Sequence, residues 1–92
     1  MVDGVRHDER KRRFEVEEAG EVAILTYSLV EGSIVFTHTI VPDALEGRGI
    51  GSRLVRAGLD FARARGLKVV AQCSFVRSYI ERHEETQDLL AG

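Results

Sequence analysis

The sequence changes character at a short glycine-rich stretch in its middle: Glu46-Gly47-Arg48-Gly49-Ile50-Gly51-Ser52. Glycines at alternate positions let the backbone turn tightly and come close to a ligand. A helical pattern starts directly behind them, so the first N–H groups of that helix lack partners within it and carry partial positive charge. A phosphate or pyrophosphate group fits such a place. The alternative is a tight turn whose glycines serve only the packing of helix on sheet.

Two common phosphate-binding loops do not fit this stretch. A Walker loop requires a lysine before its Ser or Thr, and none precedes Ser52. A dinucleotide-binding loop requires an acidic residue about 20 positions further on, where Ala71, Gln72 and Cys73 stand instead. Arg48 and Arg53 can add charged hydrogen bonds to an anion. The stretch therefore indicates an anion site of another kind.

Three β-rich segments precede the glycines, with the bounds Arg13–Glu18, Glu21–Val30 and Ser33–Val41. Two-residue turns that contain glycine separate them, which predicts a three-stranded antiparallel meander. The middle segment carries apolar residues on both faces, as is typical of a central strand. Simple alternation in the third segment places four side chains on one face: Ile34, Phe36, His38 and Ile40.

A helical period follows over residues 49 to 65, and Gly66 is a suitable residue to end that helix. The apolar run Leu67–Ala71 is a short strand, which we expect to pair in parallel because a helix separates it from the third strand. A second helix is predicted from residue 74 to about residue 84. The fold class is therefore α+β: a meander followed by a β-α-β-α unit.

Size and composition restrict the class of protein. The chain has 92 residues, which allows one domain with a modest core. Because 43% of the residues are hydrophobic and 30% are charged, we do not expect the whole chain to be disordered. The lone Cys73 cannot form an internal disulfide, and there is neither a signal-peptide pattern nor a long apolar run. These features favour a cytoplasmic protein with no membrane partner, and no Cys/His spacing indicates a metal.

The first twelve residues are nearly devoid of apolar side chains. We expect residues 1–12 to form a flexible, charged N-terminal arm and residues 13–92 to form the single domain. The basic run from Arg10 to Arg13 raises the possibility of nucleic-acid binding, against the alternative of a simply solvated terminus. The formal net charge of −2 gives no global reason to bind nucleic acid, so we expect no such partner.

A family resemblance becomes specific when the glycine stretch is read together with its neighbours. The segments His38-Thr39-Ile40-Val41-Pro42 and Leu45–Gly51, followed by Leu54-Val55, resemble the acetyl-CoA-binding region of the GNAT N-acetyltransferase superfamily. That region has the signature Gln/Arg-x-x-Gly-x-Gly/Ala. Gly49 and Gly51 match it, whereas Glu46 stands at the Gln/Arg position. With residues 73–76 and 79–83 added, residues 14 to 90 resemble a short, single-domain subgroup of the superfamily.

The resemblance implies acetyl-CoA as cofactor and the residues that hold it. Backbone groups near Ile40 and Val41 would meet the pantetheine arm. The pyrophosphate would lie on the loop residues Gly47, Arg48, Gly49, Ile50, Gly51 and Ser52. The short subgroup lacks the extra elements that enclose the amine in larger relatives. An open acceptor site is therefore expected, which the partner subunit of a homodimer can complete.

Three residues are catalytic candidates for acetyl transfer. His38 suits a general base near neutral pH, or is a histidine bonded within the sheet. Cys73, at a helix N-terminus, can accept the acetyl group or donate a proton to the departing CoA thiolate, or is a small buried side chain. Tyr79 corresponds to the general acid of many larger relatives, or is a core residue with a wet hydroxyl. Arg82 and His83 are candidates for the adenosine phosphate, against simple solvation.

The resulting functional hypothesis is an acetyltransferase that moves an acetyl group from acetyl-CoA to an amine. The acceptor is a small molecule or a protein of unknown identity. The alternative is a non-catalytic module that binds CoA or acyl-CoA and transfers nothing efficiently.

Overall fold

The structure, a computed structural model, describes residues 4–91. Its strands form one sheet in the order β1-β2-β3-β4-β5. The bounds are Arg6–Asp8 for β1, Arg13–Glu18 for β2, Glu21–Val30 for β3, Ser33–Ile40 for β4 and Lys68–Ala71 for β5. The first four strands pair antiparallel, and β5 pairs in parallel with β4. The predicted α+β class and the order of the later elements are confirmed.

Strand β1 corrects the expectation of a flexible arm. Residues 6–8 pair with β2, and His7 stacks on Phe14 with 4.0 Å between ring centroids. The charged composition of residues 6–8 does not indicate a strand. The strand forms because its polar side chains find partners on β2, as Arg6 does with Glu15. Residues 1–3 of the expected arm lie outside the described residues.

Two helices lie beside the sheet: α1, Ile50–Ala64, and α2, Ser74–Arg82. The buried side of α1 packs on β2 to β5, and α2 contacts β4, β5 and α1. Gly58 lies in this interface, because a Cβ there would come within 2.8 Å of the Phe36 ring. The core includes Leu25, Phe36 and Val69 from the sheet. The two helices match the predicted ranges to within two residues at each end.

The other face of the sheet stays exposed. Alternate residues of the same strands, Val22 and Val30 in β3 and Val70 in β5, are open to solvent. Val22 and Val70 each lie one position from a buried residue, Ala23 and Val69, as the period of two requires. The sheet therefore has a face that packs on helices and a helix-free face.

A β-bulge in β4 changes which side chains lie on which face. Tyr27 pairs with Phe36 but Thr26 pairs with His38, so Thr37 is an additional residue in β4. Beyond the bulge, Thr39 is opposite the buried Leu25. Since cross-strand partners share a face, Thr39 lies on the helix side, and His38 and Ile40 lie on the helix-free side.

The prediction that Ile34, Phe36, His38 and Ile40 share one face is therefore wrong for the last two. The long-range pairing with β3, rather than any local signal in β4, causes the change of face. Two 3₁₀ segments, Asp43–Leu45 and Glu84–Leu89, are the remaining helical elements of the described residues. Within residues 4–91, no helix is long and apolar enough to cross a membrane.

Candidate functional site

A cleft of about 590 Å³ lies where β4, the glycine loop and α2 meet. The glycine loop, residues 46–52, forms one wall, Thr39 of β4 and Val41 just after this strand form another, and Phe75 and Arg82 of α2 form the third. Of the loop residues that the family resemblance assigns to the pyrophosphate, all but Arg48 line the cleft: Gly47, Gly49, Ile50, Gly51 and Ser52. Val41 lines it as well, whereas the Ile40 side chain is on the opposite face of the sheet.

The glycine loop presents backbone N–H groups to this cleft. Gly47 and Gly49 have φ values of +81° and +73°, a conformation that L side chains rarely adopt. The first backbone bond of α1 runs from the N–H of Arg53 to the carbonyl of Gly49. The N–H groups of residues 50–52 thus have no partner within the helix. They form, with the helix dipole, a suitable cradle for a pyrophosphate group.

Strands β4 and β5 separate beside the cleft. Their pairing ends at Phe36 and Ala71, where the Cys73 N–H donates to the carbonyl of Phe36 at 2.9 Å. Beyond this point, within residues 4–91, the β5-facing edge of β4 from Thr37 to Ile40 has no strand beside it. Backbone donors and acceptors at such an edge can bind an extended amide-containing chain. A pantetheine arm is such a chain.

Cys73, the N-cap residue of α2, does not itself line the cleft but contacts Thr39, which does. Its Sγ is 3.3 Å from the Oγ1 of Thr39. Burial by itself would raise the pKa of the Cys73 thiol. The Thr39 hydroxyl and the backbone N–H groups of Val76, Phe75 and Thr39 outweigh it, and the net pKa lies below its ordinary value. The site therefore favours the thiolate form.

His38 and Cys73 are adjacent to the same gap but are not joined by a hydrogen bond in the described chain. Thr39 is the β4 residue that contacts Cys73, and His38 lies beside it in sequence on the helix-free face. The His38 side chain is exposed. The two candidates therefore approach the gap from opposite sides of the sheet.

Tyr79 is not among the residues that line the cleft. It borders a separate cavity of about 150 Å³ with Arg56, Asp60 and Arg63. Its ring stacks on His83 at 3.8 Å, and burial raises the pKa of its phenol. The structure places Tyr79 in the core between α1 and α2, which gives its proposed role as an acid no support from position.

Arg48 of the glycine loop and Arg53 of α1 do not line the cleft and bind a residue at the β2–β3 turn instead. Glu18 binds Arg48 at 3.3 Å and Arg53 at 3.6 Å. The charged side chains that do line the cleft are Glu46 and Arg82. Because their charges are opposite, recognition of an anion there depends chiefly on the backbone N–H groups.

Sequence reasoning did not assign a role to Thr39 or Phe75. The alternation of side chains along β4 could not place Thr39 at the cleft, since the bulge reverses the two faces after Phe36. The glycine at position 51 is the signal for Phe75, because the two residues pack together. A Cβ at Gly51 would be 2.7 Å from the Phe75 ring. Among the described residues, no group of three or more His, Cys, Asp and Glu side chains can hold a metal ion.

The mixed sheet, the glycine loop and the gap between β4 and β5 together define an N-acetyltransferase-type fold. A sequence model described as GCN5-related N-acetyl-transferase matches residues 13–89, which include every residue that lines the cleft. The chain belongs to the GCN5-related N-acetyltransferase family.

Relatives share most of their length with this chain. Protein NATD1 of Homo sapiens is 40% identical over 88 residues, which cover 92% of this chain and 78% of that protein. Protein NATD1 of Danio rerio is 31% identical over 88 residues, with coverages of 92% and 80%. The NMR solution structure of a GCN5-like protein from Staphylococcus aureus superposes with a TM-score of 0.75 and 31% identity. That match covers 100% of this chain and 92% of the other.

Proposed function

We propose that this protein transfers an acetyl group from acetyl-CoA, its acyl-donor substrate, to an amine. The observation that carries the proposal is the cleft, which combines a helix N-terminus with free N–H groups and the open edge of β4, and whose residue Thr39 contacts the Cys73 thiol. The residues present fit CoA in that order: the loop from Gly47 to Ser52 for the pyrophosphate, the edge of β4 for the pantetheine arm, and Cys73 at the acyl end.

The chemistry assigned to Cys73 is nucleophilic. The lowered pKa of its thiol suits a nucleophile better than a proton donor. The Cys73 thiolate attacks the acetyl carbonyl carbon, its new S–C bond replaces the C–S bond to CoA, and the CoA thiolate leaves and takes a proton from water. The amine nitrogen then attacks the acetyl-cysteine, an N–C bond forms, and the Cys73 thiolate is released.

We assign His38 the role of general base that accepts protons from the amine. The incoming ammonium group must lose a proton before its nitrogen can attack, and the amide product requires the loss of one more. The imidazole of His38 can accept a proton near neutral pH and pass it to water, because the side chain is exposed on the helix-free face. The donor therefore binds on the side of Cys73, and the acceptor approaches on the side of His38.

Cofactor binding is tested first, by melting curves with CoA, acetyl-CoA and NAD. A ligand bound only by the native state at about one hundred times its Kd adds about 2.7 kcal/mol to the stability. CoA and acetyl-CoA are expected to raise the Tm, and NAD much less. Equal shifts with NAD would contradict the assignment of the loop.

Catalysis is tested with Cys73→Ala and His38→Ala. Each is expected to lower kcat by about 10²–10⁴-fold while leaving CoA affinity nearly unchanged, because each removes a positioned chemical group. The double variant should lose less than the product of the two losses. Intact-protein mass spectrometry with acetyl-CoA should show a hydroxylamine-labile acetyl group on the wild type and none on Cys73→Ala. CoA binding without any turnover would support the non-catalytic alternative.

A further inference from the structure

The helix-free face next to His38 has a definite chemical character. Ile40, 54% exposed, follows His38 on this face, and its cross-strand partner Ile24 is half-buried beside it. Val35 and Val70 continue the apolar surface across β4 and β5. An acceptor whose amine reaches His38 must lie on these aliphatic side chains.

The polar groups within this surface are already used. The hydroxyls of Thr26 and Thr37 are hydrogen-bonded to each other at 2.6 Å. Thr26 also donates to the carbonyl of His38 at 3.4 Å. These groups are engaged with one another and offer little to a hydroxylated or otherwise polar acceptor.

The charges around the surface do not favour a polycation. Glu15, opposite Ile24, is 4% exposed, and Arg6 and Arg13 both bind its carboxylate. The carboxylate of Glu17 lies beside Val22, two cross-strand rows from His38. A polyamine would thus find no free carboxylate among residues 4–91 in the cross-strand rows next to the amine position.

The charge at the other side of the gap is positive. The Arg77 guanidinium donates to the carbonyls of Ala71 and Gln72, at the end of β5 and next to Cys73. A second ammonium group on the acceptor would therefore lie on apolar side chains or near a cation, and both positions are unfavourable.

We infer that the acceptor is a primary monoamine with an apolar skeleton, an alkylamine or arylalkylamine, and neither a polyamine nor an aminoglycoside. The inference rests on the proposed acetyl transfer and defines the substrate class of that same site. A single ammonium group loses its proton to His38 and forms the amide, while the skeleton packs on Ile40, Ile24 and the valines of this face.

Hexylamine and 1,6-diaminohexane test the inference directly, because they have the same carbon chain and differ by one ammonium group. We expect kcat/KM for hexylamine to exceed that for 1,6-diaminohexane by about tenfold, since the second charge finds no counter-charge on an apolar surface. Phenethylamine should resemble hexylamine, and spermidine should resemble the diamine. Kinetics are measured on the full chain at saturating acetyl-CoA.

Two matched variants locate the preference on this surface. Ile40→Glu places a carboxylate beside His38 and is expected to shift the ratio of the two kcat/KM values toward the diamine by at least about fivefold. Val30→Glu makes the same change on the same face at the far end of β3, where Val30 is 59% exposed, and should leave the ratio unchanged. Melting curves verify that both variants fold.

The outcomes separate this inference from the proposed function. Acetylation of 1,6-diaminohexane at least as efficiently as hexylamine overturns the acceptor class and leaves acetyl transfer intact. An unchanged ratio in Ile40→Glu also overturns it, because the acceptor then does not lie on this face. If CoA raises the Tm but no amine is acetylated, acetyl transfer and the acceptor class both fail. If CoA does not bind, the assignment of the cleft fails first.

Discussion

The hydroxyl of Thr39 lies 3.3 Å from the sulfur of Cys73 and thereby connects β4 to the first turn of α2 across the gap between β4 and β5. This contact is one of the hydrogen bonds that hold the pKa of the Cys73 thiol below its ordinary value. It exists because the bulge at Thr37 turns Thr39, rather than His38, toward the helix side.

Thr39→Val should raise the pKa of the Cys73 thiol, because valine has the same shape but no hydroxyl. The pH dependence of alkylation by iodoacetamide measures it, since only the thiolate reacts. Thr37→Val is the matched control, because the Thr37 hydroxyl contacts Thr26 and not the sulfur. An identical alkylation profile in Thr39→Val and wild type would remove Thr39 from the account of Cys73.

Gly49→Val should weaken CoA binding by at least about tenfold through the backbone, because the φ of +73° costs a β-branched residue about 1–2 kcal/mol or more. A Cβ at Gly49 meets nothing within 4 Å, so no clash with the protein confuses the result. Gly32→Val provides the control, with a φ of +75° and equally open space in the β3–β4 turn. Calorimetry should show reduced CoA affinity for Gly49→Val alone. Native affinity there would place the pyrophosphate elsewhere.

Glu46→Gln should strengthen CoA binding by about two- to fivefold at low salt, because it removes a carboxylate from the wall of an anion-binding cleft. The gain should shrink as salt is added. Pantetheine, which carries no phosphate, serves as the control ligand and should bind both proteins equally. If Glu46→Gln binds CoA more weakly than the wild type, Glu46 takes part in binding and does not oppose it.

Gly58→Ala should destabilise the fold by about 1–2 kcal/mol, because overpacking against Phe36 exceeds the gain in helix propensity. A Cβ there would come within 2.8 Å of the Phe36 ring and 3.2 Å of Leu25. Arg56→Ala, on the exposed side of the same helix, should change stability by less than about 0.5 kcal/mol. Urea unfolding measures both. A more stable Gly58→Ala would show that α1 can move away from the sheet.

His7 should make stability depend on pH. Burial lowers its pKa from the ordinary value of 6.5, with Arg65 acting in the same direction and Glu9 and Asp8 opposing it. The unfolded chain therefore binds the proton more tightly than the native one, so the free energy of unfolding falls as the pH drops below 6.5 and levels off below the native pKa.

The measurement is the Tm between pH 8 and about pH 5, compared with His7→Gln. Glutamine can still bond the Tyr27 hydroxyl, which His7 contacts through Nε2 at 2.5 Å, but does not titrate. This variant should lose the part of the pH dependence that His7 causes, whereas His38→Gln should retain it. Parallel curves for wild type and His7→Gln would show that protonation of His7 does not oppose the docking of β1.

Local signals were sufficient for most of the fold. The bounds of β2 and β3 were predicted as they occur, because alternation of side chains and glycine-containing turns are encoded within a few residues. The glycine loop was found for the same reason, since its conformation depends on the glycines themselves.

The remaining features depend on partners that are distant in sequence. Strand β1 is held by the stacking of His7 on Phe14 and by the ion pair of Arg6 with Glu15. The charged sequence of residues 6–8 predicts neither contact. Glu18 binds Arg48 from 30 residues away, which removes a predicted anion ligand from the cleft. No pattern within β4 could indicate that Thr39, and not His38, meets Cys73.

The single additional residue in β4, Thr37, determines which of the following side chains face the helices. If β4 paired with β3 without the bulge, Thr37 would lie opposite Thr26 and His38 opposite Leu25, and His38 and Thr39 would exchange sides in one step. The thiol would then face an imidazole and the open surface a hydroxyl, although every functional side chain would still be present. The bulged register of β4 between Phe36 and Ile40 is therefore as specific a requirement as any side chain in it. An insertion at the Glu31–Gly32 turn, which lies outside the strands, carries no such penalty.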